Sequence, residues 1–288
     1  MPPAFFAALF RPVRAPAPLL RLLFLFALLL SGVVQAAGAS DLVAVGQLRL
    51  QSQRVAKLYL QAGLQIQADS ARNQLQKATQ QLEAALAELA PYSRQSRMAP
   101  TLQRTQALWV ELRQALKSPY TTPALQRVLA VSDDLMLASG KLSLLIEEQS
   151  EGNMGRLLDL SQRQNMLAQR LARLYLMGYA GDRSQGRQVD AEQARREFNT
   201  ALGELAGARE NTAAVRNALE LARTQWLFFD QALVGGGSGA GTDRQSQARN
   251  VATTSERIAE VLEEVSRQYA QAYNSTQMAV APGGARRN

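Results

Sequence analysis

Apolar residues recur at helical spacing almost everywhere from Asp41 onward. The chain is rich in Ala, Leu, Gln, Glu and Arg, which all favour helices, and the two-residue alternation of a strand is absent over any useful length. The pattern predicts eight helices, at about residues 41–68, 70–90, 101–117, 123–151, 153–180, 188–208, 211–233 and 243–275. Because Gly152 and Gly155 are weak breakers, the fourth and fifth helices can also be read as one continuous long helix.

The chain repeats itself at an offset of 116 residues. Residues 53–60 (QRVAKLYL) match residues 169–176 (QRLARLYL), and Trp109 is matched at nearly the same offset by Trp226. Markers that recur in the same order on comparable helices indicate an internal duplication. Each copy has four amphipathic helices with short connections, and an antiparallel four-helix bundle is the economical way to bury their apolar stripes.

The predicted fold class is therefore all-α, with two tandem antiparallel four-helix bundles, either separate or joined by a continuous long helix. The first bundle is expected at residues 41–151 and the second at residues 153–275. The segment 235–241 (GGGSGAG) is typical of a flexible loop. Residues 276–288 are expected to form a disordered tail.

Residues 1–36 have the layout of a secretory signal peptide. Arg11, Arg14 and Arg21 precede an apolar run, and small residues then mark a cleavage site after Ala36. The run is shorter than the about 20 residues that a membrane-spanning helix needs, which favours cleavage over an uncleaved N-terminal anchor. Either outcome places the rest of the chain outside the cytoplasm, which in a Gram-negative bacterium is the periplasm.

The composition argues against catalysis. The chain has no His and no Cys, which excludes histidine triads, thiolate nucleophiles and the commonest metal sites. We therefore expect no catalytic residues, no metal and no cofactor. The net charge of +8, which falls to +5 without residues 1–36, comes mostly from Arg, whose planar donors suit flat anions. Since an exported chain does not meet genomic DNA, nucleic acid is not expected as a partner.

An arginine occupies a helix face that should be apolar. The seam along which this helix meets another follows alternating spacings of three and four, at Leu42, Val45, Arg49, Ser52, Ala56, Tyr59 and Gly63. An isolated buried charge is very costly, so Arg49 must pair with a carboxylate of a neighbouring helix, reach the surface, or hold an anion. Gly46, three residues earlier, leaves room for close approach of a partner backbone or a ligand.

The stretch from Gly46 to Leu60 (GQLRLQSQRVAKLYL) resembles the first sensor helix of the PilJ-like domain, which opens type IV pili methyl-accepting chemotaxis transducers. It is also similar to the P-box of NarX-type nitrate and nitrite sensor kinases. In that family the domain is an all-helical bundle, and the first arginine of the box, one from each subunit, holds nitrate at a two-fold interface. The resemblance implies this role for Arg49, with Gly46 and Ser52 lining the same stretch and Arg54 as the second arginine of the box.

The second copy departs from this pattern. It keeps an acidic residue, Asp159, but has Gln162 where the first copy has glycine and Asn165 where the first copy has the ligand-type arginine. The first copy is therefore the better candidate for an anion site. The weaker candidates in the second copy are Arg163, Arg170 and Asn165.

The leading hypothesis is an exported, non-catalytic sensor that binds a small anion, nitrate or nitrite first. It is expected to form a homodimer through the first helix and to signal to a membrane sensor or transducer, because no second membrane span or kinase motif follows in the sequence. The alternative is a structural or adaptor protein of the cell envelope that docks on a transducer or on a pilus or secretion component. In that case Arg49 forms salt bridges instead of holding an anion.

Overall fold

The computed structural model describes residues 37–150, 152–234 and 243–280, and these residues form eight α-helices and one short 3-10 helix. The α-helices are α1 (Ala39–Gly63), α2 (Ala68–Glu88), α3 (Ala99–Leu116), α4 (Thr122–Glu147), α5 (Met154–Tyr179), α6 (Gln185–Gly207), α7 (Ala213–Val234) and α8 (Arg244–Val280). The all-α prediction is confirmed. The predicted signal peptide, the GGGSGAG loop and the last eight residues lie outside the described residues.

The helix ends fall within five residues of the predicted ones, with two differences that matter. The alternative of one continuous fourth and fifth helix is wrong, because α4 ends at Glu147 and α5 begins at Met154. Gly152, in the connection between them, has φ +76, a left-handed conformation that a continuous α-helix does not contain. At the other end of the chain, α8 continues to Val280, five residues into the predicted disordered tail.

Helices α1 and α5 form the centre of the molecule. α1 packs against α2, α4 and α5, and α5 packs against α1, α6 and α8, while α3 and α7 pack on α4 and α8. The described residues from Ala37 onward form one compact unit. The apolar core is continuous across both sets of four helices, because one cluster includes Leu48 and Leu58 of α1 together with Leu171 of α5. Among the described residues, no helix is both long and apolar enough to cross a bilayer.

The two central helices meet in the register of the sequence repeat. α4 runs antiparallel to both α1 and α5, as its contacts with them show, so α1 and α5 run parallel to each other. Gly46 of α1 lies against Gln162 of α5, which is 116 residues later. Leu60 and Leu176, at the same offset, share a buried cluster. Positions related by the repeat therefore face each other, as positions do around a two-fold axis.

Gly46 makes this close contact possible. A Cβ at position 46 would overlap the amide oxygen of Gln162 and come within 3.0 Å of the Gln162 Cβ. Gln162 is buried there, and its Nε2 donates to the backbone oxygen of Leu42 at 3.2 Å. The close approach expected at Gly46 is thus made by a side chain of the same polypeptide.

We predict that Gly46→Ala lowers the free energy of unfolding by about 1–3 kcal/mol, because overpacking displaces Gln162 and breaks its hydrogen bond. Urea denaturation of the purified chain measures the change. Gly140→Ala is the matched control: Gly140 lies inside α4 with no atom near the position of its Cβ, so the same substitution there should stabilise the chain by about 0.5–1 kcal/mol. In a background that already carries Gln162→Ala, the cost of Gly46→Ala should largely disappear. Equal effects at positions 46 and 140 would contradict the packing described here.

Candidate functional site

Arg49 is buried between the two central helices and forms an ion pair with Asp159 of α5. Only 7% of Arg49 is exposed. Its Nη2 donates to Oδ1 of Asp159 at 2.8 Å and to the Asp159 backbone oxygen at 3.2 Å. The hydroxyl of Ser143 on α4 donates to the same carboxylate oxygen. Of the three possibilities that the sequence left open for Arg49, the structure shows the pairing with a carboxylate of a neighbouring helix.

The other candidate residues of the first copy do not converge on this pair. The hydroxyl of Ser52 donates to the backbone oxygen of Arg49 at 2.7 Å, within α1. Arg54 lies on another face, where its Nη2 donates to Glu256 of α8 at 2.5 Å. Gly46 lies against α5, as described above. The four residues therefore share one helix but contact different neighbours.

In the second copy, Arg163 and Arg170 interact with α6. Arg163 donates to Glu197 at 2.7 Å. Arg170 lies 3.4 Å from a carboxylate oxygen of Asp190. Both arginines thus have carboxylate partners on α6, away from Asp159.

The face of α1 that was expected to meet a second copy of the chain meets α5 of the same chain. Seam residues Val45, Ser52 and Ala56 are completely buried. Arg49 lies within this interface and pairs across it. A homodimer through this face would require α1 and α5 to separate.

A second set of buried ion pairs lies further along the same helices. Lys57, which is completely buried, donates from Nζ to the hydroxyl of Ser255 at 3.2 Å and to Glu256 of α8. Sequence reasoning did not single out this lysine. Its counterpart 116 residues later, Arg173, is also a cation. Two cations at matching positions of the repeated octapeptides were the signal in the sequence that could have indicated this site.

Arg173 makes the equivalent contacts on the other side of the interface. It lies 2.9 Å from a carboxylate oxygen of Asp133 on α4, and its Nη1 donates to the hydroxyl of Ser132 at 3.1 Å. Each cation therefore crosses from the first helix of one set to a serine–acid pair on the last helix of the other set. We call the contacts of Lys57 and Arg173 with these two serine–acid pairs the crossed clamps.

Two glutamines complete the crossed clamps. Gln53 of α1 donates to the backbone oxygen of Ser132 at 3.4 Å and to Asp133 at 3.2 Å. Gln169, its counterpart on α5, donates to the backbone oxygen of Ser255 at 3.1 Å. The clamps therefore tie α1, α4, α5 and α8 to one another through buried polar contacts.

Burial and charge act in opposite directions on the Lys57–Glu256 pair. Burial lowers the pKa of Lys57, and the negative charge of Glu256 works against that shift. Burial alone would raise the pKa of Glu256, but the charges of Lys57 and Arg54 outweigh it and hold the pKa below the ordinary value. Glu256 is therefore ionised in the folded chain and neutralises two cations of α1.

This arrangement holds two cation–carboxylate pairs in the interior of the bundle, Lys57 with Glu256 and Arg173 with Asp133. Within the part of the chain that the structure describes, no group of three or more acidic side chains is placed to hold a metal ion. The chemistry open to this site is an exchange of partners, in which a buried cation leaves its carboxylate for another anion. Such an exchange would change how α1 and α5 contact each other.

One comparison with known proteins gives a match. Residues 35–133 match the family model described as the N-terminal region of type IV pili methyl-accepting chemotaxis transducers, PilJ. The match covers α1 to α3 and the first part of α4, and it includes Gly46, Arg49, Ser52 and Arg54. No curated protein and no solved structure matches the chain. The resemblance to PilJ is thus confirmed for this segment.

We predict an asymmetry between the two partners of the buried ion pair. Glu256→Gln leaves Lys57 charged and buried without a carboxylate, and should cost about 3–5 kcal/mol of unfolding free energy. Lys57→Met removes the buried charge and leaves Glu256 paired with Arg54, and should cost less than about 1.5 kcal/mol. Urea denaturation at pH 7 measures both.

The pH dependence provides an independent check. Because the pKa of Glu256 is lowered in the folded state, its contribution is fully present above the ordinary Glu pKa and is lost as the pH falls through the folded-state value. The stability difference between wild type and Glu256→Gln should therefore shrink on acidification below about pH 4.5. Equal costs for the two substitutions at pH 7, or a difference that is constant with pH, would show that the pair is not the buried charge contact described.

Proposed function

We propose that the chain is a non-catalytic sensory input module of the PilJ type, located in the periplasm, which passes a signal to a membrane sensor or transducer. The match over residues 35–133 supports the sensory assignment, because that family is the input region of chemotaxis transducers. The absence of His and Cys from the sequence supports a binding role over a catalytic one. The signal-peptide pattern of residues 1–36 supports export.

The proposal extends to the second set of helices. We propose that α1–α4 and α5–α8 are two tandem copies that stand in for the two subunits of a NarX-like dimer. The observation that carries this proposal is the parallel packing of α1 and α5 in the register of the sequence repeat, with Arg49 reaching from one helix to the other. The crossed clamps agree with it, because each copy supplies one cation and one serine–acid pair.

In this arrangement Asp159 occupies the place of the anion. A carboxylate is planar and offers two oxygens to a guanidinium, as nitrate does. Arg49 already donates to both oxygens of Asp159, at 2.8 and 3.5 Å. A second anion beside this pair would be repelled by the carboxylate. We therefore propose that nitrate or nitrite binds Arg49 only when Asp159 withdraws, and that this exchange changes the contact between α1 and α5.

The Arg49–Asp159 pair also favours a second candidate function, an adaptor of the cell envelope. If the pair is permanent, the arginine of the box has a purely structural role, and the bundle acts as a docking surface for a transducer or a secretion component. Arg49→Ala would then lower the melting temperature by the same amount with and without nitrate. The two candidates differ in whether Arg49 can accept an external anion at all.

We predict that Asp159→Asn strengthens nitrate binding. The substitution removes the carboxylate and leaves a nearly buried guanidinium without a counter-charge, at a cost of about 3 kcal/mol of stability that a bound anion offsets. Isothermal titration calorimetry should show tighter nitrate binding by Asp159→Asn than by wild type, in which the Asp159 carboxylate competes with the anion for Arg49. Nitrate should also raise the melting temperature of the variant more than the same concentration of chloride does.

The control is the double variant Asp159→Asn with Arg49→Gln, which should neither bind nitrate nor respond to it. If Asp159→Asn folds but shows no nitrate binding, the sensor proposal gives way to the adaptor. If wild type binds nitrate as tightly as Asp159→Asn does, Asp159 does not occupy the anion position.

A further inference from the structure

A cavity of about 420 Å³ lies between α1, α5 and α8, on the other side of the α1–α5 contact from the Arg49–Asp159 pair. Its walls include Val43 and Gly46 of α1, Asn165 of α5, and Glu260 and Glu263 of α8. A volume of this size is typical of a site for a small organic molecule. The cavity is distinct from the ion pair, since neither Arg49 nor Asp159 lines it.

The sequence differences between the two copies account for the cavity. At offset 116, Arg49 corresponds to Asn165 and Asp159 corresponds to Val43. On one side of the interface a long arginine and an aspartate fill the space, and on the other side a shorter amide and a valine leave it open. When α8 is aligned with α4 so that Ser255 matches Ser132, Ser266 of α8 matches Ser143 of α4. Ser266 lines the cavity.

Two buried amides of the cavity wall have oxygens without a donor. Gln162 is 5% exposed and Asn165 is 2% exposed. Their amide nitrogens are fixed on the backbone oxygens of Leu42 and Ala259, each at 3.2 Å. Within the described part of the chain, no hydrogen bond reaches Oε1 of Gln162 or Oδ1 of Asn165. Both oxygens are covered by neighbouring protein atoms, so a ligand in the cavity does not contact them, and its attraction comes from the rest of the lining.

The rim of the cavity is acidic. Glu260 and Glu263 are exposed and form no ion pair with other described residues, whereas Glu264 is paired with Arg267. The charged residues of the cavity therefore carry a net charge of −2, which repels an anion and attracts a cation. Val43 and Leu50 provide an apolar wall beside these acceptors.

We propose that this cavity binds a small organic ammonium ion, with its aliphatic part against Val43 and Leu50 and its ammonium group towards the acidic rim. The proposal gives the module a second ligand class, at a site other than Arg49. It rests on the proposed sensory function only in treating this binding as a signal. It requires no change at the Arg49–Asp159 pair. The ligand of this cavity is therefore a cation, whereas the arginine of the box indicates an anion.

The test uses 1,4-diaminobutane as the cationic probe and 1,4-butanediol as its neutral counterpart, in isothermal titration calorimetry on the purified chain. The diamine should bind and the diol should not. Glu260→Gln with Glu263→Gln should weaken diamine binding by about tenfold, since each exposed charge contributes less than about 1 kcal/mol. Glu88→Gln, which changes an exposed carboxylate on α2 outside the cavity, should leave the affinity unchanged.

A second variant separates blocked binding from lost folding. Val43→Phe adds apolar volume to the cavity wall, so it should abolish diamine binding while the melting temperature stays equal to or above that of wild type. Absence of heat with the diamine on wild type overturns the proposal. Diamine binding that survives both Val43→Phe and the double glutamine variant also overturns it, because the amine would then bind elsewhere. The nitrate titration of Asp159→Asn reports on the sensory proposal separately, so that the two can fail independently.

Discussion

The structure depends on neutralising charge inside the contact between α1 and α5. These two helices are the most deeply buried of the bundle, yet they carry Arg49, Lys57 and Arg173, of which none is more than 7% exposed. A buried cation without a partner would cost about 3–5 kcal/mol, which is a large fraction of the stability of a typical domain. Each of these cations has a carboxylate from another helix, and these pairings fix which helices can lie beside α1 and α5 and in what register.

This constraint also explains why the molecule is asymmetric at its centre. Equivalent positions of the two helices face each other, but the box of the first copy supplies a cation and that of the second supplies its counter-charge. One side of the contact is therefore closed by the Arg49–Asp159 pair, and the other side contains a cavity lined by Asn165. Under the proposed duplication, a pair of identical anion sites has become one internal ion pair and one open cavity. The two sides then differ in the charge of the ligand that they favour.

The sequence predicts the helices well because helical periodicity and turn residues are local signals. It predicts the burial of Arg49 for the same reason, since the seam spacing is a property of one helix. The partner of Arg49 is not a local property. It depends on α5 lying parallel to α1 in the repeat register, so the sequence left a carboxylate, solvent and an anion as open possibilities. The sequence left open whether the fourth and fifth helices are continuous, because a glycine in a helical context reveals its positive φ only in the structure. The crossed clamps were missed because Lys57 looks like an ordinary helix-surface lysine until α8 is placed against it.

The most direct test of the account is whether α1 and α5 of one chain face each other at positions 46 and 162. The chain has no cysteine, so the double variant Gly46→Cys with Gln162→Cys contains only the engineered pair. The Cβ of Gln162 is 3.0 Å from the position of a Cβ at residue 46, about 0.5 Å below the range of disulfides, so a small separation of α1 and α5 lets the two cysteines bond. Under oxidising conditions, mass spectrometry of the peptides and non-reducing electrophoresis should show a disulfide within a single chain. A disulfide-linked dimer formed by the single Gly46→Cys variant, or failure of the double variant to close within one chain, would contradict the account.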